Sequence, residues 1–513
     1  MESSGYLDKL INERLILLDG AMGTLLQRLD LSDADVTLND SGPHRGCNEL
    51  LNLSRSDLIY QVHCDYLKSG ADIIETNTFG ANRFALQEYH LEGYVYDLNL
   101  AGAEIARAAV ESLGGERPAF VAGVVGPTGK MASFSPRVDD LTYREVAFDD
   151  FVEAYKEQIE ALIDGGVDLL LVETVFDTLV AKAALYAAYS LMEARGVTLP
   201  VMVSVTISDK SGRTLSGQTL EAFVDTLSAY PLFSLGLNCS TGAQEMLPLI
   251  EELAKISPFF TSAHPNAGFP DHNGEYRQSP LEFATLLAPI LERGLLNIVG
   301  GCCGTTPSHI EALQRVSQQG RVRTLPPYDG ELKLSGLESL KREGRPIVVG
   351  ERTNVAGSRR FARLIREKRY KAALEIAKEQ IDQGAAIIDI CMDDPLLEGV
   401  EEMVTFLRLC ATEPEISRLP FMLDSSQWPV IVAALKEVQG RCVVNSISLK
   451  EGEETFLERA RHISQMGGAI MVMLFDEEGQ ADTFERKCGV ASRSYNLLVE
   501  NRVCPPSSII IDP

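Results

Sequence analysis

Residues 150–207 read DFVEAYKEQIEALIDGGVDLLLVETVFDTLVAKAALYAAYSLMEARGVTLPVMVSVTI. A helical pattern, DFVEAYKEQIEALIDGG, runs into the continuous apolar run LLLV; a second, LVAKAALYAAYSLMEARG, runs into VMVSV. Continuous rather than alternating apolar runs belong to strands covered on both faces, hence to a parallel sheet with crossover helices. The same unit fills the first 320 residues, with apolar runs ending near Asp19, Glu75, Gly126, Glu173, Thr206, Cys239, Asn266 and Cys302. Eight such units predict a closed (β/α)8 barrel, whose active site lies at the C-terminal strand ends. The residues with chemistry fall at those ends.

Residues 321–344, RVRTLPPYDGELKLSGLESLKREG, break the rhythm. Pro-Pro, glycines and mixed charges read as a linker with one short helix. Six further strand candidates follow: PIVVGE, AAIIDIC, PFMLDSS, RCVVNSIS, GAIMVML and SSIIIDP. The expected fold is α/β with two TIM-type (β/α)8 barrels in tandem. The first covers 1–320, the linker 321–344, and the second 345–513 without its last two units. An unclosed barrel leaves two bare strand edges, so a fragment of a longer protein is expected; a complete open six-stranded sheet is the alternative.

At 513 residues the chain exceeds a single ordinary core. A net charge of −26 argues against nucleic acid or an anionic membrane as partner, although Arg352, Arg359 and Arg360 leave room for a small anion. No apolar run reaches membrane-spanning length, and MESSGYLDKLINERL lacks the basic and apolar segments of a signal peptide. Ten cysteines in so long a chain make no disulfide framework; a reducing cytoplasm is the expected compartment, where clustered cysteines point to metal or catalysis. Cys64 and Cys410 sit in apolar helical patterns and read as inert thiols.

Cys302 and Cys303 lie between glycines in LLNIVGGCCGTTP, and Cys239 ends the run in GLNCSTG. A barrel would bring these strand ends together as three thiolate ligands, leaving one tetrahedral position open, the pattern of a catalytic zinc. Such a zinc keeps an exogenous thiol deprotonated yet nucleophilic, which implies alkyl transfer to sulfur. Three buried cysteines that never meet would give the same sequence. His264 and Asn266 of AHPNAG lie on the intervening strand, within possible reach of the metal.

DGAMGT (19–24), ETNTF (75–79), GPTGK (126–130), VETVFD (172–177), GLNC and GGCCGTTP resemble the homocysteine methyltransferase family over essentially all of the first half. The resemblance implies that Cys239, Cys302 and Cys303 bind Zn2+, with homocysteine sulfur as the fourth ligand. It assigns the amino-acid end of homocysteine to the Asp19–Gly20–Ala21–Met22 loop and to Glu173, with Asn266 nearby. Backbone N–H groups suit a carboxylate and Glu173 an ammonium. Capping of the following helices is the ordinary alternative for Asp19 and Glu173.

Strand ends of the second half carry Glu351, Asp389, Asp424, Asn445 and Asp512. Carboxylates beside Asn suit a planar heterocycle with several N–H donors, such as a pterin. GERTNVAGSRRF, MDD (392–394), LDSSQW, VNSISLKEGEE, FDEEGQA and IIIDP resemble the methyltetrahydrofolate-binding barrel of cobalamin-dependent methionine synthases. That implies folate contacts from Asp424, Asn445 and Asp512, with Glu351 nearby. No residue is an obvious acid for the folate nitrogen, so a catalytic hydrogen-bond network around Asp424 and Asn445, with water, is the expectation. Cys391 stands where the family has Asn, and Gln427 where Asn is common; the family's last folate-binding Asn would lie beyond Pro513. The implied activity is methyl transfer to homocysteine through methylcobalamin, remethylated from 5-methyltetrahydrofolate and held by a cobalamin-binding domain outside this sequence. A cobalamin-independent homocysteine S-methyltransferase, or a non-catalytic zinc- and folate-binding module, are the alternatives.

Overall fold

A computed structural model describes residues 2–38, 42–115, 117–209, 211–341 and 344–513. All eight strands expected in the first half form: β1 (Ile16–Leu17), β2 (Ile73–Glu75), β3 (Phe120–Val125), β4 (Leu169–Val175), β5 (Val201–Val205), β6 (Ser234–Gly242), β7 (Phe260–Asn266) and β8 (Ile298–Val299). They pair in parallel in the order β1-β8-β7-β6-β5-β4-β3-β2. One parallel bridge, Leu18 with Ile73, joins the two ends into a near-closed barrel. Gly300 permits the β1–β8 seam, since a Cβ there would stand 2.8 Å from Leu18 Cβ and 2.9 Å from Asp19 O.

The helix Thr178–Arg195 shows why its sequence is alanine-rich on every side. Asp177 caps its start by accepting from Leu179 N, and Gly196, at φ 64°, ends it. Its inner flank covers the barrel and its outer flank meets the second half, where Tyr186 packs edge-on against His462. Lys182, 1% exposed, donates to Val438 O (2.9 Å) and Gly440 O (3.4 Å). Arg408 to Thr142 O, Gln439 to Ser216 and Arg441 to Ser228 add further bonds between the halves.

The second half contains β9 (Val349–Asn354), β10 (Ile387–Cys391), β11 (Phe421–Asp424), β12 (Val443–Ile447), β13 (Ala469–Met473), a small hairpin β14 (Phe475–Asp476) and β15 (Gly479–Gln480), and β16 (Ile509–Asp512). The six expected strands make a parallel sheet in the order β16-β13-β12-β11-β10-β9. Among the described residues this sheet stays open, with β9 and β16 as its edges, as expected of six strand units without the last two. The hairpin has no counterpart in the sequence reading.

The short helix expected in the linker does not form among its described residues; 342–343 lie outside them. Ser335 and Ser339 instead bridge a tight turn whose backbone pairs with both halves: Thr219 N donates to Leu337 O, and Leu337 N to Ser417 O. Leu334 packs with Ile387, Met422, Val443 and Ala469 under the second sheet. Burying that leucine and forming those bonds outweighs the weak helical preference of so short a segment. No helix among the described residues is long and apolar enough to cross a membrane.

Candidate functional site

Strand β6 ends abnormally, and the cysteine cluster depends on it. Cys239 and Ser240 have φ near 59° and 57°, and the β6–β7 register slips between Asn238 and Gly242. Asn238 fixes this bend: its Oδ1 accepts from Thr174 N (3.1 Å) and Ser204 Oγ (2.8 Å), while Nδ2 donates to Thr174 Oγ1 (2.8 Å). Thr174 itself takes φ 57°. Left-handed conformations are costly for residues other than glycine, above all a β-branched one, so the clamp holds strained backbone at the strand tips.

Cys302 and Cys303 follow β8. Cys302 N donates to Pro265 O (2.9 Å), and Cys303 O accepts from Ala267 N (3.0 Å). Cys239 Sγ lies 3.7 Å from Cys303 Sγ, and the three sulfurs lie within 4.8 Å of one another. Hydrogen bonds from Cys302, then Cys303, push the Cys239 thiol down to about 3; the same bonds push Cys302 well up, and Cys303 up to about 11. Cys239 is thus the most readily ionised of the three, with the other two thiols hydrogen-bonded to it.

The cluster opens into a cavity of ≈ 270 Å³ at the C-terminal mouth of the barrel. Asp19, Gly20, Ala21, Met22 and Glu173 line it, with Glu75 and His264. Asp19 is 2% exposed; its Oδ2 accepts from Glu75 N (3.0 Å) and its Oδ1 has no partner. The loop is tethered by Ala21 N to Thr305 Oγ1 and by Tyr66 to Ala21 O. Burial raises all three acids: Glu173 to about 8, with Cys239 adding to the effect, and Asp19 and Glu75 well above the usual range, each also facing Glu173. A pocket of three desolvated carboxyls and three thiols is built to receive positive charge.

The donor set suits zinc: three soft sulfurs converge and their open side faces the cavity. Asn266, 2% exposed, joins the cluster through a side-chain hydrogen bond to Cys239, and its Oδ1 is buried without a partner. His264 is buried with both ring nitrogens unpartnered, but stands outside the clustered ligand atoms.

Three contributors escaped the sequence reading. Glu75 ends an apolar run as Asp19 and Glu173 do, and that shared position was the available signal. Asn238 adjoins Cys239 in GLNC, yet its role is three-dimensional. Tyr276 comes from the polar loop after β7, where nothing marks it. Its ring covers Gly304 (φ 82°), where a Cβ would stand 2.2 Å from Tyr276 Cβ. Burial, then Cys303, pushes its hydroxyl up, and it hydrogen-bonds that thiol.

In the second sheet the register aligns Asn354, Cys391, Asp424 and Asn445 side by side across four strands. The structure therefore unites Asp424 and Asn445, while Glu351 and Asp512 stand exposed on the two edge strands. Burial, then Asp393, raises Asp424 to about 6, against hydrogen bonds from Cys391 and Asn354. Asp393 is itself pinned by Ser425 Oγ (2.5 Å) and Ser426 N (2.7 Å). Arg360 is engaged by Glu379 and is not free to bind an anion.

Residues 350–513 match the pterin binding enzyme family. Among solved structures, the chain is similar to the homocysteine methyltransferase MmuM from Escherichia coli in its metallated form, at 26% identity and a TM-score of 0.47, over 61% of this chain and 98% of that one. It is similar to a dihydropteroate synthase from Coxiella burnetii in complex with pteroic acid, at 12% identity and a TM-score of 0.34, over 60% of this chain and 93% of that one. Residues 16–317, more than half of the sequence, match the homocysteine S-methyltransferase family, and the chain belongs to that family.

Proposed function

We propose that this chain carries the homocysteine- and folate-binding parts of a cobalamin-dependent methionine synthase. The observation that carries the reading is one polypeptide holding a homocysteine S-methyltransferase match at 16–317 and a pterin-binding match at 350–513. Methyl acceptor and methyl donor then share one chain, and the second sheet represents six strands of a pterin-binding barrel. In this reading 1–320 and 345–513 are the two catalytic units, 321–344 joins them, and the protein works in the cytoplasm. Cobalamin is the methyl carrier, brought to both sites by a cobalamin-binding domain.

Cys239, Cys302 and Cys303 would hold Zn2+, which when bound keeps homocysteine sulfur ionised and nucleophilic at neutral pH. Glu173 and Asp19 take the substrate ammonium, which supplies the positive charge their buried carboxyls lack. The Gly20–Ala21–Met22 loop faces the substrate carboxylate, and Asn266 flanks the metal. In the second sheet Glu351, Asp424, Asn445 and Asp512 hold the pterin of 5-methyltetrahydrofolate. Loss of methyl from its tertiary nitrogen requires a proton there, because an uncharged amine leaves far better than its anion. Asp424, raised to about 6, supplies that proton through water, with Asn445 orienting the network.

The test is methyl-labelled 5-methyltetrahydrofolate with homocysteine and zinc, with and without added cobalamin reduced to its Co(I) form. Labelled methionine that depends on cobalamin supports the proposal. Methionine formed from a small sulfonium or ammonium methyl donor without cobalamin would replace it with the cobalamin-independent activity, and binding of both substrates without transfer would leave a binding module.

A further inference from the structure

Asp389 is a deeply buried carboxyl of the second sheet, 2% exposed on β10. Its neighbours Ile388 and Ile390 pack in the main core beneath the helices, whereas Ile387 joins the cluster on the sheet's other face. The period of two therefore places Asp389 on that inner face, with Cys391 one step above it. Asn354, at the end of β9, stands between two acids: its Nδ2 is 3.1 Å from Asp424 Oδ2 and 3.4 Å from Asp389 Oδ2. Its Oδ1 accepts from Ala356 N (2.9 Å) and Gly357 N (3.1 Å), so the amide cannot flip without losing both bonds. The NH2 end is committed to the carboxyls.

Asp389 Oδ1 is buried with no partner at all. The charged and titratable groups facing it are Asp424 from β11, Glu351 from β9 and Cys391 from its own strand, with Asp393 acting on Asp424. None is a cation, and neither acid appears in an ion pair among the described residues. Two carboxyls held by one amide in a poorly solvated row cannot both ionise cheaply, and such pairs titrate as a unit. Burial, then Asp424, raises Asp389 to about 7.

We propose that Asp389 is a positioning residue that shares a single proton with Asp424 across the Asn354 amide, so that the folate site retains a proton donor at higher pH than one carboxyl would allow. The inference rests on the reading of the second sheet as a folate site. In the methyl-transfer step the C–N bond breaks and its electron pair stays on the folate nitrogen. That nitrogen takes the pair's single proton from Asp424 through water, reduced cobalamin would accept the methyl, and Asp424 and Asp389 are both left as carboxylates until water returns a proton to the pair.

The test is Asp389→Asn in this chain, with methyl transfer from 5-methyltetrahydrofolate to added reduced cobalamin followed against pH and folate affinity measured in parallel. The alkaline limb is expected to fall by about one pH unit, giving roughly 10-fold slower transfer near neutrality, with little change at acid pH and folate affinity nearly unchanged. An unmoved limb with normal folate binding overturns the proposal alone. If the unaltered chain binds no folate at any pH, the folate reading falls and the proposal with it. Asp424→Asn supplies an independent reading: the infrared band of the protonated Asp389 carboxyl is expected to titrate at lower pH than in the unaltered chain, and an identical titration would overturn the coupling.

Discussion

The two strand-end mouths differ in what they do to a carboxyl. In the first half a near-closed ring surrounds its pocket, Asp19 is 2% exposed, and Glu173 is raised to about 8. In the open second sheet Asp389 is equally buried, at 2% exposed, and raised to about 7, and Asp424 is raised to about 6, while Glu351 and Asp512 on the edge strands remain exposed. Both mouths carry strand-end acids, so composition does not separate them. In the open sheet burial depends on the strand: Asp389 on β10 is as buried as Asp19, and only the edge strands leave their acids in water.

The sharpest way to break this contrast is to remove a sulfur. Cys302→Ser is expected to reduce zinc from about one equivalent per chain to a small fraction, and to weaken homocysteine binding by roughly 10³-fold, while folate affinity stays unchanged. Metal analysis with calorimetry checks it; retained zinc would remove the thiolate assignment. Glu173→Gln should keep the zinc and weaken homocysteine by roughly 10- to 100-fold, since the substrate ammonium loses its charged partner. Asn445→Ala is expected to weaken folate about 10-fold and leave the sulfur site untouched, measured by equilibrium dialysis.

Two smaller effects concern stability. Lys182→Ala leaves Val438 O and Gly440 O unsatisfied at the junction of the halves, at a cost of about 1–3 kcal/mol. Calorimetry should show a lower Tm and a single transition broadening toward two. The metal-free protein should also be more stable at mildly acid than at mildly alkaline pH. Glu173, Asp389 and Asp424 bind protons more tightly folded than unfolded. Their contribution is therefore complete below about pH 4 and is lost as pH rises through 6 to 8. Zinc with homocysteine should flatten that slope by neutralising the first pocket, and a slope unchanged by both would count against cation binding there.

Much of the site was legible because strand ends are legible. An apolar run that stops at Asp19, Glu173 or Cys302 marks both the end of a strand and the face where side chains converge. Asn238 and Tyr276 were not legible in the same way: one acts through hydrogen bonds to β4 and β5, the other through a loop folded onto Gly304. The linker was misread because its leucine and serine find tertiary partners that no local propensity records.

The sequence by itself determined the strands of the two parallel sheets and their order along the chain, the three cysteines and the acids at the strand ends, since each follows from local hydrophobic runs and residue type. Only the tertiary structure decided that one bridge nearly closes the first ring, that Asn238 bends the end of β6, and that Asp389 and Asp424 share one amide. Those depend on register and on which groups are removed from water, quantities set by residues hundreds of positions apart and by no stretch of chain alone.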